Sequence, residues 1–488
     1  MRVVFIPKPG RDLTVAKNWR PLNLINCVGK LGEKLVADRI PDFGGELFHR
    51  LQYGSVKGRS AVDILYKLVG RARKCIDGGS SVGWGFWDVK GGFQYMVGGD
   101  ILGRLASVPS TRGLCRWLEQ FVSPRGFEVY WDRKMRGVGR STVGVPQGSP
   151  LSPVLFLVSM APILEEMERR IVEEVPGVVV EFPSYVDDLD CGLYDNRRVV
   201  RGLGEAERRA RMEELLERVS VTPKDVAREW GLPLAENKKE RLILHSKAGR
   251  RGRRGVGEKV KWLGVILDNE LDFGQHWEYR IQKARSLIGA LDGVGSCRWG
   301  MSPLSWRQAY TGMIQSVALW GLEVGWRGQR GWREMMERLQ YGALQKCTGP
   351  VVGARRESVR KVAAIESVQL FVRTTTGRYL ARLMCDSSRA GVAEDIDSAM
   401  EEMWDLSLGG LYWKGEFVVI DVEVGLGGTK EEWEEVILKA SGGCTVAFTN
   451  GSRDDEGRVA GGWSALMVGR AVNCWVLWRL RGTGRWRG

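Results

Sequence analysis

Two adjacent carboxylates are the residues of this chain best suited to chemistry. Asp187 and Asp188 lie in the tetrad Tyr185–Asp188, between an apolar approach at Val178–Phe182 and a second apolar stretch at Leu189–Leu193. Strand formers on both sides predict a β-hairpin that presents the two acids at its tip. Because a lone Asp-Asp pair is usually only a turn, a metal-binding interpretation requires a further ligand elsewhere in the chain.

A third carboxylate lies well upstream of this pair. Asp88 falls within the apolar, strand-like stretch Phe86–Phe93, although aspartate is depleted in strands. An aspartate on one strand and an aspartate pair on a later hairpin form an arrangement that holds two divalent cations for phosphoryl transfer. Carboxylate oxygens are the ligands that Mg²⁺ prefers. The pattern therefore predicts that Asp88, Asp187 and Asp188 converge on one site.

The elements that must position these acids alternate between helical and strand patterns. Apolar residues at helical spacing predict helices at Val28–Ile40, Leu151–Glu174 and Gly204–Val219. The last of these is expected to be a solvated helix that backs a sheet. Residues 260–273 predict a β-hairpin that turns at Asp268 and Asn269, and residues 276–384 are mostly helical in pattern.

Composition narrows the class of protein and its partners. The 488 residues are 43% hydrophobic and 27% charged, which is typical of a globular protein with several domains. Lys and Arg number 73 against 59 Asp and Glu, so the net charge of +14 favours a polyanionic partner, most simply nucleic acid. No apolar run is long enough to span a bilayer, and Pro7 comes too early for a signal peptide, so no membrane partner is expected.

Cysteine and histidine usage points to an intracellular protein. Nine Cys are scattered without a CxxC pair and only three His occur, which argues against a zinc finger. Single, dispersed cysteines suit a reducing compartment. The expected location is therefore nuclear or cytoplasmic.

Further short motifs follow one another in a defined order. They are Phe5–Asp12, Asn18–Leu24, Gln52–Gly54, Gly58–Ser60, Asp88–Phe93, Gln147-Gly148, Ser149–Phe156, Tyr185–Asp188, Ala235–Glu240 and Trp262–Val265. Each motif alone is weak, but in this order and spacing the chain resembles the reverse transcriptases of non-LTR (LINE-type) retrotransposons. The stretch Ser149–Phe156 favours that type over retroviral enzymes. Group II intron and retron polymerases have related strings and rank second.

The resemblance implies an α+β fold of the right-hand polymerase type with fingers, palm and helical thumb, plus a partial RNase H-like β stub. The expected domains are N-terminally truncated fingers at 1–80, the reverse transcriptase palm at 81–274, a helical thumb or connection at 275–384, a linker at 385–440 and an incomplete RNase H-like fragment at 441–488. Tryptophans of the thumb are expected in its core, namely Trp306, Trp320 and Trp326.

The resemblance also implies RNA-directed DNA polymerase activity. Such an enzyme joins a primer 3′-hydroxyl to an incoming dNTP along an RNA template, so the implied partners are RNA, a DNA primer and dNTPs. Two Mg²⁺ ions would serve as cofactors, with Mn²⁺ as a substitute. Asp88 and Asp187 would bridge both ions, Asp188 would complete the cluster, and the Val89 carbonyl would assist.

Residues on the nucleotide side are likewise implied by the resemblance. Arg20 would clamp the triphosphate, and Lys8 is a weaker phosphate candidate. Phe93 would be a steric gate beneath the sugar, although a Phe near a strand end is usually core. Gln147 and Gly148 would form a loop against the nucleotide, because glycine permits close backbone approach.

Three further sites complete the implied set. Tyr185, next to the acids, belongs to the nucleotide site. Lys238 would protonate the leaving pyrophosphate, although its neighbour Lys239 could take that role instead. Leu263 and Gly264 would form a primer grip near the primer end, or simply a hairpin core.

The C-terminal stretch Thr445–Ser452 resembles the first strand of an RNase H domain. Asn450 stands where the family has aspartate, and an amide is a poorer Mg²⁺ ligand. Asp454 and Asp455 fall in a predicted turn at Arg453–Gly457, so no RNase H activity is expected. The chain is therefore expected to be a fragment of an element. A catalytically silent nucleic-acid-binding relic and a group II intron-like reverse transcriptase remain the alternatives.

Overall fold

The computed structural model describes residues 1–8, 10–43, 47–232, 234, 240–244, 258–293, 300–349 and 353–385, together with six strands between 417 and 483. The chain divides into two compact units, Met1–Thr374 and Thr375–Gly488. Among the described residues, no helix is both long and apolar enough to cross a membrane.

Strands of the first unit come in chain order as β1 (Arg2–Pro7), β2 (Trp19–Leu24), β3 (Val82–Asp88), β4 (Arg125–Trp131), β5 (Lys134–Ser141), β6 (Val178–Glu181), β7 (Ser184–Tyr185), β8 (Asp188–Asp195), β9 (Glu240–Leu244), β10 (Lys259–Trp262) and β11 (Val265–Asp268). Its helices are α1 (Cys27–Arg39), α2 (Ala61–Asp77), α3 (Gly92–Tyr95), α4 (Gly98–Ser107), α5 (Arg112–Val122), α6 (Ser152–Glu174), α7 (Arg197–Val200), α8 (Glu205–Val219), α9 (Thr222–Glu229), α10 (Gly274–Asp292), α11 (Pro303–Ala309), α12 (Ser316–Ala318), α13 (Leu322–Gly325), α14 (Arg330–Thr348), α15 (Arg356–Ala363) and α16 (Val368–Cys385), the last of which ends within the second unit. Three 3₁₀ turns, at Ala16–Asn18, Ile40–Phe43 and Pro109–Thr111, and a π-helical turn at Tyr310–Gln315 lie between them.

Two sheets and a hairpin organise this unit. An N-terminal sheet has the order β2-β1-β4-β5, with β1 parallel to β4. A central sheet has the order β6-β8-β3-β9, and β7 pairs with β8. Strands β10 and β11 form a separate antiparallel hairpin. The α+β fold class predicted from the sequence is confirmed.

Strand β3 is the middle of the central sheet because nearly all of its residues are apolar or glycine. All of Val82–Trp87 is buried, as expected for a strand covered on both faces. On one face, a Cβ at Gly83 would lie 2.7 Å from the side chain of Met212 on α8. The apolar stripe of α8 is buried there, which confirms that this charged helix backs a sheet. The opposite face of β3 ends at Asp88.

The predicted hairpin at 260–273 exists, but its predicted turn at Asp268 and Asn269 is wrong. The chain reverses at Leu263 and Gly264, whose φ angles are +45° and +79°. Positive φ at both central residues matches the twist of a two-residue hairpin. Asp268 instead ends β11, because its carboxylate accepts hydrogen bonds from the N–H groups of three following residues.

Beyond the end of α16, the second unit is described through six strands. They are β12 (Phe417–Glu423), β13 (Thr445–Thr449), β14 (Ser452–Arg453), β15 (Val459–Ala460), β16 (Gly462–Ala471) and β17 (Cys474–Thr483). Four of them form a sheet of order β12-β17-β16-β13, and β14 pairs with β15. The strand predicted from Thr445 is thus confirmed, whereas β12 was not predicted. Asn450, Asp454 and Asp455 lie outside the described residues, and the RNase H assignment stays a prediction.

Candidate active site

The register of the central sheet brings two of the predicted acids face to face. Asp88 at the end of β3 is paired directly with Asp188 at the start of β8. Residues paired in this way have Cβ atoms about 4.5–5.5 Å apart. Asp187 immediately precedes Asp188, and its carbonyl accepts a hydrogen bond of 3.0 Å from the Val89 N–H. The three acids are half-buried and lie at one end of the sheet.

The tight turn before β8 carries Asp187. Tyr185 pairs with Asp188, so Val186 and Asp187 are the two central residues of the turn. Val186 has a φ of +57°, which is uncommon for a β-branched residue. The predicted hairpin is therefore confirmed, with Asp187 in its turn and Asp188 at the start of β8.

Among the residues that the structure describes, no three acidic, histidine or cysteine side chains are already gathered into a complete metal-ligand set. Opposed carboxylates repel each other, and a bound cation would offset that repulsion. Carboxylate oxygens at Asp88, Asp187 and Asp188 match the donors that a hard divalent cation prefers. These residues could therefore hold such an ion, and their role as ligands stays a prediction.

The sequence did not single out Asp190, the next inward-facing residue of β8 on the same face as Asp188. Its side chain is fully buried, and neither carboxylate oxygen has a hydrogen-bond partner within the described part of the chain. Burial raises the pKa of Asp190 well above its usual range, and the nearby charge of Glu181 raises it further. A buried carboxyl group thus lies on the same face of β8 as Asp188, one step further into the sheet.

Phe93 lies on the short helix α3, just beyond Asp88. Its ring is half-buried and packs against Phe156 of α6 with ring centroids 5.2 Å apart. The segment before Gln147 contacts the same helix: the Val145 N–H donates to the Phe93 carbonyl at 2.8 Å. Phe93 therefore contacts the core with one side while the rest of its ring remains accessible.

The loop at Gln147 and Gly148 is fastened to strand β2. The Gln147 carbonyl accepts hydrogen bonds from the backbone N–H and the side-chain amide of Asn23, at 2.7 and 3.2 Å. Gly148 has a φ of +110°, and a Cβ there would lie 2.8 Å from the Asn23 carbonyl oxygen. Gly148 is thus needed because the backbone of strand β2 leaves no space for a side chain, whether or not a nucleotide is bound.

Two predicted cationic residues lie on the neighbouring hairpin of β1 and β2. Arg20 is exposed on β2 and pairs with Ile6. The Lys8 N–H donates to the Asn18 carbonyl at 2.9 Å, which continues the pairing beyond β1. Because residues alternate along a strand, Lys8 and Arg20 share one face of this hairpin. Lys238 and Lys239 lie outside the described residues.

The turn at Leu263 and Gly264 is held by two side chains, one on α10 and one between α12 and α13. Trp320 Nε1 donates to the Leu263 carbonyl at 3.1 Å, and an Arg280 guanidinium nitrogen donates to the Gly264 carbonyl at 2.5 Å. Trp320 is half-buried, so the prediction that it is a core residue is only partly correct. Trp306 and Trp326 are buried as predicted.

His276 joins the same hairpin to the helices. Its Nδ1 accepts from the Ile266 N–H at 3.2 Å, so its Nε2 carries the proton and donates to the Trp320 carbonyl at 2.8 Å. Burial, with a smaller contribution from the Arg280 charge, lowers the pKa of His276 to about 4. The imidazole is therefore neutral at physiological pH.

Comparison with known proteins identifies the family. The family described as reverse transcriptase (RNA-dependent DNA polymerase) matches residues 6–267, which is more than half of the 488 residues. The match contains both the paired acids and the Gln147 loop. The chain therefore belongs to the reverse transcriptase family.

Relatives among curated proteins belong to mobile elements. The chain is 21% identical over 392 residues to the RNA-directed DNA polymerase from mobile element jockey of Drosophila funebris, a match that covers 78% of this chain and 41% of that protein. It is 25% identical over 225 residues to the Pol polyprotein of the type-1 retrotransposable element R1 of Nasonia vitripennis, covering 42% of this chain and 59% of the relative. The predicted resemblance to reverse transcriptases of non-LTR retrotransposons is confirmed. The chain spans less than half the length of the jockey relative.

The similarity to solved structures is weaker than the similarity to the curated relatives. Apo telomerase from Candida tropicalis, truncated from its C-terminal domain, aligns with a TM-score of 0.37 and 12% identity. That alignment covers 55% of this chain and 53% of the telomerase chain.

Proposed function

We propose that this chain is an RNA-directed DNA polymerase that extends a DNA primer with dNTPs along an RNA template. The observation that carries the proposal is the direct pairing of Asp88 with Asp188, with Asp187 on the adjoining turn. This arrangement occurs within the region that matches the reverse transcriptase family. A metal-dependent nucleotidyl transfer needs such converging carboxylates.

The acids would hold two Mg²⁺ ions, or Mn²⁺ in their place, with help from the Val89 carbonyl. When bound, such ions lower the pKa of the primer hydroxyl and neutralise the charge of the triphosphate. The protein fixes where the acids stand: the sheet register sets Asp88 against Asp188, and the Val89 N–H holds the backbone at Asp187.

The nucleotide would lie between the acids and the N-terminal sheet. Arg20 and Lys8 would contact the triphosphate from the shared face of their hairpin, because guanidinium and ammonium groups bind phosphate. The Gln147 loop and Tyr185 would also line the nucleotide site. Lys238 is proposed as the acid that protonates pyrophosphate, on the basis of the sequence resemblance alone.

Replacing Phe93 with valine is expected to raise ribonucleotide incorporation about tenfold relative to dNTP incorporation. A smaller side chain opens space where a 2′-hydroxyl would otherwise collide, and pocket volume changes of this kind discriminate by about one to two orders of magnitude. Single-nucleotide extension with rGTP and dGTP measures the ratio. Unchanged discrimination with a lowered melting temperature would show that Phe93 is simply a core residue packed on Phe156.

Template and primer would bind through phosphate contacts with basic surfaces. One such surface adjoins the β10–β11 hairpin, where Lys261 Nζ lies 2.8 Å from the Tyr279 hydroxyl and 4.6 Å from its ring centroid. Lys283 Nζ lies 6.0 Å from the same ring. Hydrogen bonding to Lys261, followed by the neighbouring positive charges, lowers the pKa of Tyr279. The turn at Leu263 and Gly264 would place the primer end beside this surface.

The double substitution Lys261→Ala and Lys283→Ala is expected to weaken binding of RNA–DNA hybrids equally for all sequences. Each lost phosphate contact should reduce the slope of log affinity against log salt by about one. Fluorescence anisotropy between about 50 and 200 mM KCl measures the slope. Lys34→Ala provides the control, because Lys34 already pairs with Asp38 on an exposed helix. An unchanged slope in the double variant would remove this surface from the binding site.

Primer extension tests the proposed activity itself. The purified chain is incubated with a homopolymer RNA template, a complementary DNA primer and the matching dNTP in Mg²⁺. Extension supports the polymerase. Salt-sensitive RNA binding without extension would favour the alternative, a catalytically silent nucleic-acid-binding relic, whereas a group II intron-like enzyme would be favoured by activity restricted to intron RNA. Cleavage of RNA in hybrids is not expected.

A further inference from the structure

One motif from the sequence has no role in the site described so far. The segment Gln52–Gly54 runs alongside the turn that carries Asp187. The Tyr53 N–H donates to the Ser184 carbonyl at 2.9 Å, and the Ser184 N–H donates to the Leu51 carbonyl at 3.0 Å. Residues 51–53 therefore pair with strand β7 from the side opposite β8.

The side chain of Gln52 reaches the turn itself. It is only 1% exposed, and its Oε1 accepts hydrogen bonds from the Val186 N–H at 3.0 Å and the Gly54 N–H at 2.9 Å. Val186 is the residue with a φ of +57°, a conformation that costs a β-branched residue free energy and persists only when the surroundings hold it. The hydrogen bond from the Val186 N–H to Gln52 Oε1 helps to hold Val186 in this conformation.

The fit between the two segments leaves no room for a side chain. A Cβ at Gly54 would lie 2.5 Å from Val186 Cγ2 and 2.6 Å from the Val186 nitrogen. The position of Gln52 is fixed in turn by Arg59, whose guanidinium donates to the Gln52 carbonyl at 2.6 Å and to the Arg50 carbonyl at 2.9 Å. The hydrogen bonds of Arg59 therefore hold the backbone at Gln52 in the position from which its side chain reaches the turn.

We propose that Gln52 is a positioning residue that fixes the turn carrying Asp187. This inference rests on the proposed polymerase function and adds to it a residue that touches neither nucleotide nor metal. Without the Oε1 acceptor, the Val186 N–H loses its hydrogen-bond partner. Val186 is then free to relax from its positive φ, and the turn that carries Asp187 can shift. A displacement of a reacting group by about 1 Å can cost about a hundredfold in rate.

Gln52→Met tests the proposal because methionine fills a similar volume without an acceptor. The variant is expected to lower kcat for single-nucleotide extension by about ten- to a hundredfold, and to raise the Mg²⁺ concentration needed for half-maximal rate. The KM for dNTP and the affinity for the RNA–DNA hybrid should stay within about twofold of wild type, since neither ligand contacts Gln52. Gln52→Glu restores an acceptor at the same place and is expected to recover most of kcat.

Gln340→Met is the matched control. Gln340 is also buried, at 2% exposure, and its amide donates to the Glu366 carbonyl at 2.9 Å, far along the chain from the acids. Loss of that hydrogen bond should lower the melting temperature without changing kcat. Comparison of the two variants separates a positioning effect from a general loss of a buried hydrogen bond.

Two results would overturn the proposal. The first is wild-type kcat and wild-type Mg²⁺ dependence in Gln52→Met. The second is an equal loss of activity in Gln52→Met, Gln52→Glu and Gln340→Met that follows their melting temperatures. Failure of the polymerase proposal is distinguishable from both, because the wild-type chain itself would then extend no primer.

Discussion

Replacing Asp187 with asparagine is expected to abolish primer extension while leaving RNA binding nearly intact. The amide keeps the size of the side chain but removes the negative charge that the cations require. Metal ions contribute several kcal/mol to such reactions, and about 4 kcal/mol corresponds to roughly a thousandfold in rate. Binding should persist, because phosphate contacts with basic residues supply the affinity. Burst-phase extension and hybrid anisotropy on the same preparation measure the two quantities.

A surface aspartate provides the control for this substitution. Asp38 pairs with Lys34 on the exposed helix α1, so Asp38→Asn should retain wild-type extension. Extension by Asp187→Asn at the parent rate, with Mg²⁺ as the only metal, would remove Asp187 from the reaction. The mutation tests the ligand role that the register of the sheet suggests.

Acidification is expected to destabilise the first unit through His276. The folded-state pKa of this residue is lowered to about 4, from an ordinary value of 6.5, because its imidazole is buried and Arg280 lies nearby. Between pH 6.5 and 4, the imidazole of His276 therefore binds a proton in the unfolded chain but not in the folded chain. The stabilisation is fully present above pH 6.5 and is lost as pH falls through 4. The loss amounts to at most about 3 kcal/mol.

Equilibrium unfolding in urea at several pH values checks this expectation. In the variant His276→Gln, the unfolding free energy should depend less steeply on pH between pH 6.5 and 4 than in wild type. The difference in slope should correspond to at most about one proton taken up on unfolding. Carboxylates titrate in both proteins, so their contribution cancels in the comparison. Identical pH dependence in the two proteins would show that His276 does not carry the acid sensitivity of the hairpin.

Local patterns were sufficient to predict much of the architecture. The helices at α1, α6 and α8 begin and end within about one residue of their predicted bounds, because apolar spacing and capping are local properties. The hairpin that bears Asp187 and Asp188 was predicted for the same reason. The pairing of Asp88 with Asp188 joins residues far apart in sequence, so the pattern of acids predicted that they converge but could not give the register that pairs them.

Other features depended on contacts that no local pattern encodes. The turn at Leu263 and Gly264 was missed because Asp268 and Asn269 are the more usual turn residues, whereas Asp268 bonds to the backbone that follows it. The role of Trp320 depends on an indole N–H that reaches a carbonyl of another element. The sequence gives no local signal for the positioning role of Gln52. That role follows from the hydrogen bonds that its Oε1 accepts from the Val186 and Gly54 N–H groups.

The topology of the central sheet also has a consequence during protein synthesis. Strand β3 is flanked by β8 and β9, so both of its neighbours are made after it. At about 5–20 residues per second, the ribosome needs several seconds or more to reach β8 after completing β3. During that interval an apolar strand with two unpaired edges is present on the nascent chain, which is a condition that favours aggregation. Translation products that stop before β8 would keep β3 without either partner and would be candidates for chaperone capture or proteolysis.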